Sequence, residues 1–315
     1  LRKTKISEEN ESILREVKKM NKNFFRTCIG LTVGVSLLIA STIMGIASGP
    51  TGYEALKAAL KNSDKIENAT YRISGTVIDN DEEMMKLNST LKVQAENLVS
   101  GNFSIETGKI GRSYTFSVQD ETTVLKDNSS DVYSKIILTQ KENELKASKY
   151  ENPQAEAILE SIVDNLVGDL KNQVILKNLG DDEKQISINL EKDEIPALFN
   201  LILNLRQTED NIEIEPNNRI SEILGFTLKD FEFPKLTSNI QAEKINIEII
   251  VDRNNTIKEM GLEFEISGND AQNNIHNRKF NINYDIFDIY STTADIIELN
   301  GKEVKEFSSE ELNLY

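Results

Sequence analysis

The chain has 315 residues, a formal net charge of −16, one cysteine, one histidine and no tryptophan. Nucleic-acid binding rests on neutralising phosphates with Lys and Arg, so an acidic balance of this size excludes it. One cysteine excludes a disulfide scaffold, and one histidine leaves no second imidazole for a His-ligated metal site.

Residues 1–27 hold eight basic and four acidic side chains, a net +4 that leaves about −20 for the rest. Then come twenty residues without a charge, Cys28–Ala47 (CIGLTVGVSLLIASTIMGIA). At about 1.5 Å per helical residue they span roughly 30 Å, the depth of a bilayer's hydrocarbon core, and predict a membrane-spanning helix. Lys18, Lys19, Lys22 and Arg26 precede the segment, and no charge follows until Glu54. Basic flanks stay on the cytoplasmic side, so the expected topology puts residues 1–27 inside and residues 48–315 outside, in a single pass through the cell membrane. Two fates fit the segment: a permanent signal anchor, or a signal peptide cleaved after Gly45-Ile46-Ala47. The long tail ahead of it favours the anchor. Cys28 lies at the inner edge, the wrong end for lipid attachment.

Beyond the segment, Thr51 and Glu54 form a capping box, and Tyr53, Leu56 and Leu60 follow on one helical face. Tyr71, Ile73, Gly75 and Val77 alternate with Arg72, Ser74 and Thr76, a half-buried strand that runs into the acidic turn Asp79–Glu83. Leu87, Leu91 and Val93 mark the next strand, and further ones are expected near 102–107, 113–118, 122–126 and 132–138. The pattern is an antiparallel meander with Asn, Asp and Gly turns.

Asn152-Pro153 opens a helix, and Leu159, Ile162, Val163, Leu166, Val167 and Leu170 form its apolar stripe. A strand is expected around 185–190. Asp193 then caps a second helix through Ile195, Leu198, Phe199, Ile202, Leu203 and Leu205, with Pro196 in its first turn. Three alternating strands close the domain, centred on Ile245–Val251, Met260–Ile266 and Phe280–Ile286. Each is apolar on one face and charged on the other, the pattern of a sheet covered on one side and wet on the other. Residues 300–315 read as a polar tail. The expected fold class is α+β, a transmembrane helix followed by one long antiparallel sheet with helices gathered on its apolar face.

Little in the chain points to catalysis. His276 falls in an expected polar loop, Gly268–Asn277, and reads as solvated; no G-x-S-x-G or glycine-rich phosphate loop is present. The Asp79–Glu83 run lacks the D-x-D-x-D-G spacing of a calcium loop and reads as a solvated hairpin tip. Paired carboxylates come without an aromatic sugar platform. The expectation is a protein that is not an enzyme and uses no cofactor or metal.

One order of elements is informative. A short helix leads into a strand with an acidic turn (GYEALKAALKNSDKIENATYRISGTVIDN), a meander and helices follow, and a hairpin closes it (INIEIIVDRNNTIKEMGLEFEI). Over roughly residues 52–290 this resembles the LolA/LppX-like periplasmic and cell-surface proteins. The resemblance implies an unclosed, strongly curved antiparallel sheet, a half-barrel wrapped around two or three helices, over residues 51–299. It further implies an apolar cavity for acyl chains, in proteins that carry or present lipids and lipoproteins. Phe116, Phe264 and Phe280 from inward strand positions, with Ile162 and Leu166 from a helix face, are the candidate lining; the competing reading is that they fill a packed core. The chain departs from the family in having no lipid-attachment cysteine. The expected function is that of a non-enzymatic, membrane-anchored outer domain of Gram-positive character that binds or presents an apolar ligand or senses the envelope. Two alternatives stay open: the outer half of an anti-sigma-type regulator, or a packed structural or protein-binding module.

Overall fold

The computed structural model describes residues 52–137 except 64, 96 and 97, residues 173–203 except 198, 201 and 202, and residues 218–226, 230 and 233–308. The expected membrane segment 28–47, the helix carrying Ile162 and Leu166, and Thr51 of the capping box lie outside them. Among the described residues no helix is long and apolar enough to cross a membrane.

Twelve described strands form one sheet: β1 (Ala69–Asp79), β2 (Glu82–Ala95), β3 (Leu98–Thr107), β4 (Gly111–Gln119), β5 (Thr122–Asp127), β6 (Val132–Ile137), β7 (Val174–Gly180), β8 (Glu183–Glu191), β9 (Ser238–Val251), β10 (Ile257–Asn269), β11 (Ile275–Phe287) and β12 (Glu303–Ser308). Their spatial order is β12-β6-β5-β4-β3-β2-β1-β11-β10-β9-β8-β7. The sheet is unclosed, with β12 at one end and β7 at the other. Pairing is antiparallel throughout except for β12, which runs parallel to β6. The helical elements among the described residues are α1 (Gly52–Ser63), α2 (Asn218–Leu224) and a 3-10 turn at Lys192–Glu194, with further helical residues at 197, 199, 200 and 203.

Local chemistry sets these elements. Asn80 and Asp81 (φ 48° and 68°) and Asp181 and Asp182 (φ 51° and 61°) put two left-handed residues in each of two tight hairpins, whose twist matches that of the flanking strands. Gly225 (φ 64°) ends α2, and its N–H donates to the Ser221 carbonyl at 2.7 Å. At the start of α1, a Cβ on Gly52 would stand 2.2 Å from the Val174 carbonyl oxygen, so only glycine lets the helix seat against β7.

Three apolar clusters hold one face of the sheet, here called inner, the smallest gathering Leu236, Ile240 and Ile266. The largest packs Tyr53, Leu56 and Ala59 of α1 on Ile186, Ile188, Leu190, Ile245, Ile247, Ile249 and neighbours of β7–β10. The second gathers Ile105, Tyr114, Phe116 and Leu125 of β3–β5 under Leu224 and Phe226. Tyr114 is wholly buried, and its hydroxyl donates to the Leu224 carbonyl at the end of α2. Burial, with Asp127 nearby, pushes that phenol far above its ordinary range.

The other, outer face is crossed by the segment that follows β11. One register row runs Thr70–Lys92–Ser100–Ser117–Val124–Lys135 from β1 to β6. Residues 292–297 lie along it. The Thr292 hydroxyl donates to Asp288 O and accepts from Thr70 at 2.8 Å. The Asp295 N–H donates to Ser100 Oγ at 2.7 Å, the Asp295 carboxylate meets Lys92 Nζ at 2.8 Å, and the Ile297 N–H donates to Ser117 Oγ at 3.3 Å. Five extended residues cover about 16 Å and three strand spacings about 14 Å, so the strap crosses β1 to β4 nearly straight. It then turns at Gly301 and enters the sheet as β12, where Glu306 meets Lys135 at 2.9 Å.

Three expectations change. Residues 300–315 are not simply a polar tail, because Glu303–Ser308 is a strand with Phe307 buried. Asp193 does not cap a helix: Glu191 is the N-cap of a 3-10 turn, with Glu194 completing the reciprocal box, and helix is described at residues 197, 199, 200 and 203. The Gly268–Asn277 loop is shorter than expected, since β10 runs to Asn269 and β11 starts at Ile275.

Candidate functional site

Alternation along the strands builds an apolar inner face that runs from β3 to the β7 edge, with Arg112 of β4 as the next register partner beyond Ile105. One register row reads Ile105, Leu87, Gly75, Ile282, Leu262, Ile247, Ile188 and Val174, across eight strands and without a polar side chain. Its ends are buried: Ile105 on one side, and Leu262, Ile247, Ile188 and Val174 on the other. Its middle, Leu87, Gly75 and Ile282, is only half-buried. The two larger clusters fray toward this centre, with Leu87 and Leu91 packed on the margin of one and Tyr71, Ile282 and Tyr284 on the margin of the other.

Gly75 marks the midpoint. A glycine inside a strand weakens it and often marks a place where another group approaches the backbone. Among the described residues an added Cβ would meet Asn281 O at 3.6 Å and Leu87 Cβ at 4.0 Å, both ordinary contacts, so the backbone leaves room for a small side chain there. Beside it the Tyr71 and Tyr284 rings stand 5.6 Å apart. Burial raises both phenols above their ordinary value, so they present neutral hydroxyls at physiological pH.

Of the five residues expected to line a cavity, three are described, and all three lie on the inner face. Phe264 and Phe280 stack with ring centroids 6.0 Å apart, and Phe199 meets Phe264 edge-on at 5.6 Å. Phe116 is buried in the second cluster, 6.4 Å from Phe103. Four strand spacings, roughly 19 Å, separate Phe116 from the strand of Phe280, so these residues do not form one wall. Ile162 and Leu166 lie outside the described residues. The half-buried centre at Leu87, Gly75 and Ile282 was missed, although strict alternation in β1 already places Gly75 on the apolar side.

At one end of the inner face the polar residues gather. Asp79 is buried, accepting from Arg278 at 2.8 Å and lying 3.1 Å from His276 Nδ1. Arg278 also donates to the Pro234 carbonyl at 2.7 Å and stacks over Phe233, while its buried Nε meets no partner among the described residues. His276 Nε2 lies 3.4 Å from Asp270, whose carboxylate is held below its usual value by hydrogen bonds from Asn274 and then from His276 and the Gln272 N–H. His276 is therefore neither in a loop nor solvated: it opens β11, and its side chain is 12% exposed. Asp79 likewise leaves the expected hairpin tip, while Asp81–Glu83 remain exposed there. Asp79 extends the inward series of β1, and Arg278 and His276 extend that of β11; charge at those positions was the available signal. The cluster ties the β1–β2 turn, the β10–β11 loop and residues 233–234 together. Among the described residues no group of His, Cys, Asp and Glu is placed to hold a metal ion.

No family model matches the chain, and no curated protein matches it. Two solved structures align over most of its length. The LolA superfamily protein NE2245 from Nitrosomonas europaea is 9% identical, with 79% of this chain and 96% of that one covered at a TM-score of 0.21. Rv2717c from M. tuberculosis is 6% identical, with 76% and 99% covered at a TM-score of 0.18. Scores this low carry no argument about fold or activity, so the functional reading rests on the chain's own surfaces.

Proposed function

We propose that this chain is a membrane-anchored, non-enzymatic binding protein whose inner sheet face takes an apolar molecule, with a single fatty acyl chain as the simplest occupant. The observation that carries the reading is the eight-strand apolar row, buried at both ends and half-buried at Leu87, Gly75 and Ile282. An apolar face of that length is covered in a folded protein by something apolar. Gly75 leaves the row without a side chain between Leu87 and Ile282, and that notch is the seat we assign to the acyl chain.

Anchoring is supported by the uncharged run at residues 28–47 and its basic flank. The binding domain then lies outside the membrane, consistent with its acidic balance and lack of cysteine. The test uses residues 51–315 and an anthroyloxy fatty acid as fluorescent probe. Saturable one-to-one binding is expected, and Gly75→Leu, which fills the notch, weakens it by about tenfold or more without lowering the melting temperature. Absence of saturable binding, or a Gly75→Leu variant that binds as the parent does, would count decisively against the site. Protease accessibility of residues 51–315 in right-side-out cells tests the topology.

A further inference from the structure

We propose that the strap formed by residues 292–308 is exchangeable, and that the outer face of β1–β6 accepts the strap of a second copy of this chain. Two independent observations meet here. The first is the docking surface: the Gln94 amide and the Ser100 and Ser117 hydroxyls accept backbone N–H groups of the strap, Thr70, Lys92 and Lys135 meet its Thr292, Asp295 and Glu306 side chains, and the β6 edge pairs with β12. These contacts are made to strands β1–β6, so a strap from another chain can make every one of them.

The second is the hinge. Between β11 and the strap, Asp288 (φ 52°) and Tyr290 (φ 62°) are both left-handed, and Tyr290 is 74% exposed. A bulky side chain pays for that backbone region, and in the closed chain the Tyr290 N–H donates to Asn68 O at 2.8 Å as the strap reverses over its own sheet. Extending the hinge removes the reversal while the strap's contacts are regained in trans. A strained short hinge with an intact docking surface is the physical condition for strand exchange. The product is a two-fold dimer in which each copy supplies the other's β12, leaving both inner faces as they are.

Cys28 is the only native cysteine, so a clean test is available. Two full chains with different affinity tags, both Cys28→Ser, one carrying Lys135→Cys and the other Glu306→Cys, are co-expressed and oxidised in the membrane. These positions are register partners on β6 and β12. A disulfide joining the two tags is expected, and none when Glu306→Cys is paired with Glu265→Cys on β10. Adding Tyr290→Gly, which relieves the hinge in the closed chain, lowers the joined fraction by about fivefold or more. The doubly substituted single chain is the reference. If it closes on itself while the mixed pair never joins, exchange is overturned; if neither forms, the β6–β12 pairing itself is overturned, and the proposal with it.

Discussion

The outer face of this sheet is two surfaces. Over β8–β11 the row Lys279–Glu265–Lys244–Glu191 alternates in sign along the register, with Lys279 and Glu265 2.7 Å apart and Lys244 and Glu263 2.8 Å apart, each roughly a third exposed. Over β1–β4 the row beneath the strap is Thr70–Lys92–Ser100–Ser117, and its hydroxyl groups are buried. The strands alternate identically in both halves. What differs is the neighbour: long charged side chains face water, whereas small hydroxyls let a second backbone approach and satisfy its N–H groups. Outward polarity therefore carries two meanings, and side-chain size separates them.

Substitutions in the two halves should then behave differently. Phe307→Ala removes the buried side chain of β12 and should cost about 3 kcal/mol in urea unfolding, with hydrogen exchange rising in β6 and unchanged in β9 and β10. Gly52→Ala drives a methyl into the Val174 carbonyl and should cost about 2 kcal/mol, with the exchange increase confined to α1 and β7. Ser100→Ala leaves the Asp295 N–H without its acceptor and should cost about 1 kcal/mol; a cost as small as that of a surface substitution would mean the strap does not dock there.

The smallest effect belongs to the charged half: Lys244→Gln should cost less than about 0.5 kcal/mol at neutral pH and vanish in high salt. Its pH dependence has a definite sign. The hydrogen bond from Lys244 holds Glu263 below its ordinary 4.5, and the bond to Glu263 raises Lys244 above its ordinary 10.5. The Glu263 contribution is full above pH 4.5 and is lost as pH falls through the lower folded value. That of Lys244 is full below pH 10.5 and is lost as pH rises through the higher one. The difference between parent and variant should be flat across the neutral range and close at both extremes.

Strands with one long alternation were legible in the sequence. Tyr71–Val77 and Phe280–Ile286 each announce β1 and β11 because every second residue is large and apolar. The first half of β9 was not, because a bulge at Glu243 shifts the inward series from Ile240 and Ala242 to Ile245, Ile247 and Ile249, and the alternation breaks. β7 was missed because an edge strand has little to bury, and Val174 is its one buried residue. β12 was missed for a related reason: EVKEFS carries apolar groups three residues apart, and its parallel partner β6 lies more than 160 residues earlier. The candidate aromatic residues on strands lie on the inner face, but sequence spacing could not show that Phe116 and Phe280 pack in different clusters. The Gly75 notch emerges only when eight strands are in register.

The central claim is that an apolar molecule lies on the inner face across β2, β1 and β11. A diazirine-bearing fatty acid, photolysed with the full chain in membranes and mapped by peptide mass spectrometry, tests it most directly. The account predicts adducts on residues 85–91 and 280–284, competed away by unlabelled fatty acid. Adducts confined to the outer face or to residues 28–47, or labelling that unlabelled fatty acid does not reduce, would contradict it.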